Sequence, residues 1–212
     1  MKERPIIFST PMVQAILAGK KTMTRRLSGL LRINLRPNDW AKPVYDPADG
    51  KWVFTAEHGH AEQVRLKCPY GQPGDHLWLR ERFMPAVIWE VCTYLYYADG
   101  PECYEHIVEQ MEDQRWKPSI HMPRSASRIT LEITNVRVER LNDISEQDAI
   151  AEGVEVIHMA EQNVPVFRNY LLKEKKGTTN PIHSFDTLWK SINGPDSWQA
   201  NPWVWVIEFK VL

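Results

Sequence analysis

The residues best suited to chemistry stand in one short stretch of the chain. Lys21 precedes Thr24 by three positions, and two further cations, Arg25 and Arg26, follow directly. A threonine hydroxyl is a poor nucleophile until a base takes its proton, and a lysine whose pKa falls on burial can act as that base. Two side chains at this spacing meet where the chain between them is helical or tightly bent. The stretch therefore predicts a nucleophile beside its base. The alternative is a basic helix end, whose cations oppose the helix dipole.

Short helices and strands surround this stretch. Thr10 and Pro11 predict a helix start, with threonine as the N-cap and proline at the first helical position, and Gly19 predicts its end. Apolar alternation and turn residues predict strands at 5–8, 51–54, 76–81, 91–97, 127–134 and 203–211, and apolar stripes or caps predict helices at 143–153 and 185–192, with a possible helix over 103–114.

The last predicted strand, 203–211, begins apolar on both of its faces. This pattern is typical of a central or barrel strand that is buried on both sides. Regular alternation of strand and helix, which a doubly wound parallel sheet needs, is absent. The sequence therefore predicts an α+β fold, a small mixed barrel with short helices over its openings.

Length and charge limit the class of ligand. The chain has 212 residues, enough for one well-buried domain, and a formal net charge of −1. A nucleic-acid site must then be a local basic patch, which disfavours binding along a duplex and leaves a nucleotide-sized or single-stranded ligand. Nine tryptophans are present, and their flat rings suit core packing as well as base stacking.

The cysteines indicate a reducing compartment. Cys68, Cys92 and Cys103 form no close pair, and Cys103 with His106 is too small a set of ligands for zinc. We find neither an apolar signal segment nor a run of membrane length. We therefore expect a cytoplasmic protein without a membrane partner, a metal or a cofactor.

The motif from Ile16 to Arg26, Ile-Leu-Ala-Gly-x-Lys-Thr-x-Thr-x-Arg, resembles the signature of ASCH domains, members of the PUA-like superfamily. Later landmarks follow in the same order: Gly74-Asp75 before a strand, the 129–133 strand, Ala151-Glu152, and a terminal Val206-Ile207-Glu208-Phe209-Lys210. The chain is most similar to the larger ASCH-type proteins of phages and prophages.

The resemblance implies a single domain over residues 1–212, with a mixed β-barrel of five to six strands and a cleft beside the first helix. Compact bacterial ASCH proteins are about half as long, so the segments at about 32–67, 84–118 and 155–182 are expected to be insertions.

The resemblance also implies an activity. The compact bacterial members are amidohydrolases that remove the acetyl group of N4-acetylcytidine with a lysine, a threonine and a glutamate. By motif, these are Lys21, Thr24 and Glu152, with Thr24 as nucleophile, Lys21 as base and Glu152 orienting Lys21 or serving the leaving amine. Arg25 or Arg26 would hold a phosphate or the acyl oxygen. The expected partner is a modified nucleoside or single-stranded RNA.

Other residues are candidates for the same cleft. Glu81, between Arg80 and Arg82 at the end of a predicted barrel strand, is a rival acid to Glu152, or alternatively a salt-bridged strand end. Segment 116–124 is held extended by two prolines and is interpreted as a pocket wall. In it, Trp116 would stack on a base and Arg124 would meet a phosphate, while Ser119 and His121 lie between them. The alternative is a loop that packs Trp116 into the core.

Two alternatives to hydrolysis remain open at this stage. PUA-like domains generally bind RNA in this cleft, so the first alternative is a binding module without catalytic activity. A nuclease acting on single-stranded RNA is the other, with the lysine and the arginines serving the phosphates.

Overall fold

Short strands and helices follow one another along the chain. A computed structural model describes residues 1–57, 62–88, 91–108, 115–172 and 176–212. The strands are β1 (Glu3–Ile7), β2 (Met23–Arg26), β3 (Val44–Asp46), β4 (Lys51–Thr55), β5 (Gln63–Leu66), β6 (His76–Arg80), β7 (Phe83–Ile88), β8 (Val91–Tyr96), β9 (Thr130–Arg140), β10 (Val156–Met159), β11 (Pro165–Arg168), β12 (Gly177–Thr178) and β13 (Trp203–Val211). The α-helices are α1 (Thr10–Leu17), α2 (Leu31–Asn34), α3 (Glu105–Val108), α4 (Glu146–Ala151) and α5 (Pro181–Asn193). Short 3-10 turns lie at Pro37–Asp39, Tyr97–Asp99, Pro101–Tyr104, Ser119–His121, Arg124–Ala126, Leu141–Asp143, Glu161–Asn163 and Pro195–Ser197.

The largest sheet contains five strands in the order β1-β6-β9-β13-β2. β1 and β6 are parallel, and the other neighbours are antiparallel. β13 lies between β9 and β2, and its residues 203–207 are all buried. The prediction of a strand buried on both faces is confirmed, and the fold is α+β.

The sheet does not close into a barrel. Among the described residues, β1 pairs only with β6 and β2 only with β13, so both remain edge strands. The predicted barrel is corrected to an open five-stranded sheet. Helix α1 connects the two edges along the chain, and the Arg26 guanidinium donates to the carbonyl of Ile7 at 2.8 Å. This side-chain bond joins the last residues of the two edge strands, where a closed barrel would have a ladder of backbone bonds.

Each face of the sheet carries its own core. Because successive strand residues point to opposite faces, Trp203, Trp205 and Ile207 of β13 pack with residues of α1 and β4 in one core. Val204 and Val206 pack with α4 and α5 in the second core. α1 thus packs on one face of the sheet and α4 and α5 on the other, and Met23 of β2 belongs to the second core.

Three small sheets occupy the segments between the main strands. β3, β4 and β5 form one, β7 and β8 form a hairpin, and β10, β11 and β12 form the third. Phe54 of β4 belongs to the first core and Phe167 of β11 to the second. The β7–β8 hairpin instead packs in separate clusters around Phe83 and Met84.

Several local predictions need correction. The stretch from Lys21 to Thr24 does not continue the helix; Lys21 and Thr22 form a loop, and Met23 and Thr24 already belong to β2. Ser9, not Thr10, is the N-cap of α1, so Pro11 is the second helical residue and not the first as predicted. The helix proposed over 103–114 is a 3-10 turn followed by α3, and its residues 109–114 lie outside the described ranges.

Candidate active site

A cavity of about 1060 Å³ lies at the open side of the sheet, beside the edge strand β2. α1 and the end of β1 line one side of it, and the segment after α4 together with α5 lines the other. Four of the site residues predicted from the sequence line it, namely Thr24, Arg25, Arg26 and Glu152. Small-molecule sites span about 300–1,000 Å³, so this cavity has room for a nucleoside.

Lys21 and Glu152 form a buried ion pair next to this cavity. Lys21 Nζ lies 2.8 Å from Glu152 Oε2, and the two side chains are 0% and 4% exposed. The ammonium also donates to the backbone carbonyls of Glu152 and Met23, at 2.7 and 2.8 Å. Its three hydrogens therefore have three acceptors, which a buried cation needs.

The end of α4 brings Glu152 to Lys21. Ser145 caps the helix by accepting from the backbone N–H of Asp148 at 3.1 Å, as the sequence predicts. Gly153 follows Glu152 with φ +82, a conformation that favours glycine. A Cβ atom at Gly153 would lie 2.8 Å from Lys21 Cβ, so the glycine permits the close approach of α4 to the lysine.

Burial and charge act on Lys21 in opposite directions. Loss of water lowers the pKa of the ammonium, while the Glu152 carboxylate raises it, and the net direction is downward. A lowered pKa increases the fraction of Lys21 that is a neutral amine at a given pH. The hypothesis that Lys21 acts as a base requires this neutral form. The three acceptors nevertheless hold the lysine as a cation in the arrangement described here.

Thr24 lies in β2 opposite Ile207 of β13, and it is 3% exposed. Its side chain lines the cavity, and its hydroxyl makes no hydrogen bond to any described residue. The expectation that Lys21 and Thr24 meet in a helical or tightly bent turn is therefore corrected. Thr24 belongs to β2 and lines the cavity, while the Lys21 ammonium bonds to Glu152 at the end of α4.

Arg26 points to the same face of β2 as Thr24, two residues further along. Its guanidinium lies over the ring of Phe8, 4.9 Å from the ring centre, and donates to the carbonyl of Ile7. It forms no ion pair with the part of the chain that the structure describes. Burial lowers the pKa of Arg26. A half-buried cation without a carboxylate, on the wall of a cavity, is suited to receive an oxygen of a ligand.

The side chain of Arg25 lies on the opposite face of β2 from Thr24 and Arg26, and its guanidinium is already bonded to carboxylates of the protein. Its Nη2 lies 2.6 Å from Asp148 and 3.3 Å from Glu139, and its Nη1 lies 3.3 Å from Glu152 Oε1. Three carboxylates of the protein already surround its guanidinium, which disfavours the predicted contact of Arg25 with a phosphate.

Glu81, the alternative candidate for the acid, lies away from the cavity. Glu81 is 1% exposed and bonded to Arg128 through both oxygens, at 3.0 and 3.1 Å. Burial raises its pKa, and Arg128 acts against that rise. Glu81 does not line the cavity. The alternative interpretation, a salt-bridged strand end, describes its position.

Segment 116–124 does not form a wall of the cavity, contrary to the prediction. Trp116 packs against the rings of Tyr97 and Tyr104, at 5.1 and 6.3 Å between ring centres. Arg124 is paired with Glu3 at 2.9 and 3.1 Å. Ser119 and His121 lie in a short 3-10 turn, and none of these four residues lines the cavity. The Lys117 backbone pairs with Phe83 of β7, which draws the segment to the hairpin instead.

The structure adds cavity residues that the sequence did not indicate. Tyr70, Arg168, Tyr170 and Trp189 all line it. Trp189 belongs to an apolar helical stripe, which is also the pattern of a core helix. The other three lie in turn-rich or polar segments without a periodic signal. Their position depends on how β10–β12 and the loop before β6 pack around β2.

We find no metal centre in the described ranges, since no group of three histidine, cysteine, aspartate or glutamate side chains is arranged to hold an ion. Cys68 and Cys103 are free thiols. No described helix has the length and apolar character needed to cross a membrane. The chemistry that this site can perform rests on a hydroxyl, an ammonium–carboxylate pair and a guanidinium.

Comparison with known proteins adds no relative: no protein-family model, curated protein or solved structure matches the chain.

Proposed function

We propose that the protein is an ASCH-type, PUA-like amidohydrolase that removes the acyl group from an N-acylated pyrimidine nucleoside such as N4-acetylcytidine. One observation carries the proposal. Thr24 and Arg26 share one face of β2 and line a single nucleoside-sized cavity, which also contains Glu152 of the buried Lys21–Glu152 pair. These are the groups that amide hydrolysis needs: a nucleophile, a proton acceptor and a positive charge near the developing oxyanion.

In the proposed reaction, Thr24 Oγ1 attacks the acyl carbon and forms an ester with it. The hydroxyl proton passes to Lys21 in its neutral form, and the amine of the nucleoside leaves with a proton returned from the Lys21–Glu152 pair. Water then cleaves the ester, which releases the acid and restores the hydroxyl. In the first step the neutral Lys21 amine keeps two N–H donors, so it must release one of its two carbonyl acceptors and turn its lone pair to the Thr24 hydroxyl, which donates to it.

The cavity walls suit a nucleoside. The rings of Tyr70 and Tyr170 and the apolar side chains of α5 offer flat or apolar surfaces to a base. Arg26, which lacks a carboxylate partner within the described chain, would bind the acyl oxygen as negative charge develops on it.

A specific observation favours a second function, binding of a nucleoside or RNA without chemistry. The Lys21 ammonium donates to Glu152 and to two carbonyls, and it does not contact Thr24. If this arrangement persists when the ligand is bound, the hydroxyl has no base.

Replacement of the Thr24 hydroxyl tests the proposal most cleanly. Substituting Lys21 or Glu152 would break a buried ion pair, at about 3–5 kcal/mol, so that folding and catalysis would change together. Thr24→Val keeps the side-chain shape and removes only the hydroxyl. We expect release of cytidine from N4-acetylcytidine, followed by liquid chromatography, to fall about a thousandfold or more. Thr24→Ser, which retains the hydroxyl, is the matched control and should remain active.

Wild-type turnover by Thr24→Val would refute Thr24 as the nucleophile. If the wild-type protein releases no cytidine, calorimetric titration with N4-acetylcytidine separates the two functions. Binding that is equal in wild type and Thr24→Val would then identify a binding module.

A further inference from the structure

The geometry points to a role for Arg25 that differs from ligand binding: we propose that Arg25 is a positioning residue, which holds the Glu152 carboxylate in place against Lys21. The two oxygens of Glu152 have different donors. Oε2 accepts from Lys21 at 2.8 Å, and Oε1 accepts from Arg25 Nη1 at 3.3 Å. With both oxygens engaged, rotation of the carboxylate is restricted.

Arg25 is itself firmly held. It is 4% exposed, and its Nη2 donates to Asp148 at 2.6 Å and to Glu139 at 3.3 Å. The guanidinium also lies 5.8 Å from the ring centre of Phe185 on α5. The planar fork of an arginine can span two acceptors in fixed directions, which a lysine cannot do. Arg25 therefore connects the start of α4, through Asp148, with its end, through Glu152.

The charges around Glu152 come from every neighbouring element. Lys21 lies in the loop after α1, and Arg25 and Arg26 lie in β2. On the far side of Arg25 are Asp148 of α4 and Glu139 of β9. Among these cations, only Lys21 and Arg25 bond to the Glu152 carboxylate within the described residues.

Arg137 of β9 provides a matched control inside the same cluster. It donates to Asp148 at 2.6 Å and is also paired with Glu139 and Glu208. It does not bond to Glu152. A role limited to neutralising the carboxylate cluster would be shared by both arginines, whereas positioning of Glu152 belongs to Arg25 alone.

The experiment compares Arg25→Lys with Arg137→Lys, because both substitutions keep the charge and lose the fork. The reporter is Lys21, whose ammonium is titrated by following its ¹³Cε resonance in protein labelled at lysine. In Arg25→Lys the new ammonium should bond to Asp148, the nearer acceptor, and Glu152 loses its second donor. The support that Glu152 lends to the charged form of Lys21 weakens, and this loss outweighs the smaller repulsion that the cation at position 25 exerts on Lys21, so the pKa of Lys21 should fall below its wild-type value. In Arg137→Lys it should remain unchanged.

Kinetics supply the second readout, and this part rests on the proposed function. Since Arg25 acts through Glu152, Arg25→Lys should lower kcat about ten- to a hundredfold with little change in KM. Arg137→Lys should retain both values. Should Arg25→Lys fail to fold, as judged by circular dichroism, Arg25→Gln and Arg137→Gln replace the pair in the kinetic assay.

The outcomes separate the two proposals. A Lys21 titration that is unchanged in Arg25→Lys, or that falls equally in Arg137→Lys, overturns the positioning role. A wild-type kcat in Arg25→Lys, or in Arg25→Gln where that pair is used, overturns it as well. If the Lys21 pKa falls only in Arg25→Lys but wild type releases no cytidine from N4-acetylcytidine, the amidohydrolase proposal fails while the positioning role stands.

Discussion

At the scale of single residues, burial changes what each polar group can do. Lys21, Thr24 and Arg25 are each 4% exposed or less, yet they differ in their partners. Lys21 and Arg25 are surrounded by acceptors, as buried cations must be, whereas the Thr24 hydroxyl bonds to no described residue. The Thr24 hydroxyl is therefore the one of these three groups that has no partner among the described residues.

Burial of the Cys68 thiol should make the free energy of unfolding depend on pH in the alkaline range. Loss of water raises the pKa of Cys68 from 9.0 to about 11. Between these values the unfolded chain releases the thiol proton while the folded protein keeps it, so the free energy of unfolding decreases as pH rises. This contribution is fully present below pH 9 and is lost by about pH 11, and we expect it to reach about 2 kcal/mol.

Urea unfolding at several pH values from 8 to 11 measures the effect. Cys68→Ala should remove this part of the alkaline decrease, and Cys103→Ala, at an exposed thiol, should leave it intact. An identical decrease in wild type and Cys68→Ala would contradict the assignment. Lys21 contributes with the opposite sign, since its lowered pKa favours the folded state as pH rises towards 10.5, and this contribution is common to all three proteins.

At the scale of elements, the site depends on how closely the end of α4 approaches the loop after α1. The backbone N–H of Thr22 donates to the carbonyl of Ala151 at 2.9 Å, next to the bonds from Lys21 to Glu152. Gly153 sits at this contact, where a side chain would meet both Lys21 and Ala15. The contact thus places the ion pair before any ligand arrives.

Gly153→Ala should separate these elements. Its Cβ would lie 2.8 Å from Lys21 Cβ and 3.2 Å from Ala15 Cβ, and φ is +82. We expect a loss of stability of about 2–4 kcal/mol, the sum of the backbone strain and the displaced contact. Urea unfolding is the measurement.

Gly74→Ala is the matched control, because Gly74 has φ +85 and a Cβ added there would meet no atom within 4 Å. It should lose only the backbone part, about 1 kcal/mol. Equal losses in the two variants would show that α4 and Lys21 tolerate the added methyl group.

At the scale of the whole molecule, stability should be distributed unevenly. β13 contributes to both cores, and Trp205 and Val206 are each 0% exposed. Among the described residues, those of the β7–β8 hairpin pack in the two small clusters that surround Phe83 and Met84 and not in either main core. Regions with few shared core contacts open without unfolding the rest of a protein.

Hydrogen exchange followed by mass spectrometry tests this distribution. Peptides from β9 and β13 should exchange slowest, at the rate of global unfolding, and peptides from β7 and β8 should exchange faster through local opening. Equal protection of the hairpin and of β13 would show a single cooperative unit instead.

Local sequence patterns were sufficient for about half of the described strands and helices. Period-two alternation predicted β6 and β9, an apolar run on both faces predicted β13, and the cap residues around α4 and the glycine after α1 marked helix ends, because these signals arise from neighbours in the chain. The α+β class followed from them. The conformation of residues 21–24 did not, since pairing with β13 made Thr24 a strand residue, and pairing requires a distant partner.

Only the tertiary structure determined which charged side chains form ion pairs. Lys21 and Glu152 lie 131 positions apart, and Arg25 and Asp148 lie 123 apart. No local periodicity encodes such contacts; they arise when α4 packs on the second core and β2 pairs with β13. The resemblance proposed Lys21, Thr24 and Glu152 as one site, but only packing assigned Arg25 to the carboxylates, left Arg26 without one, and moved Trp116 and Arg124 away from the cavity. The stretch after α1 therefore specifies the candidate groups Lys21, Thr24 and Arg26, and the packed sheet specifies their partners.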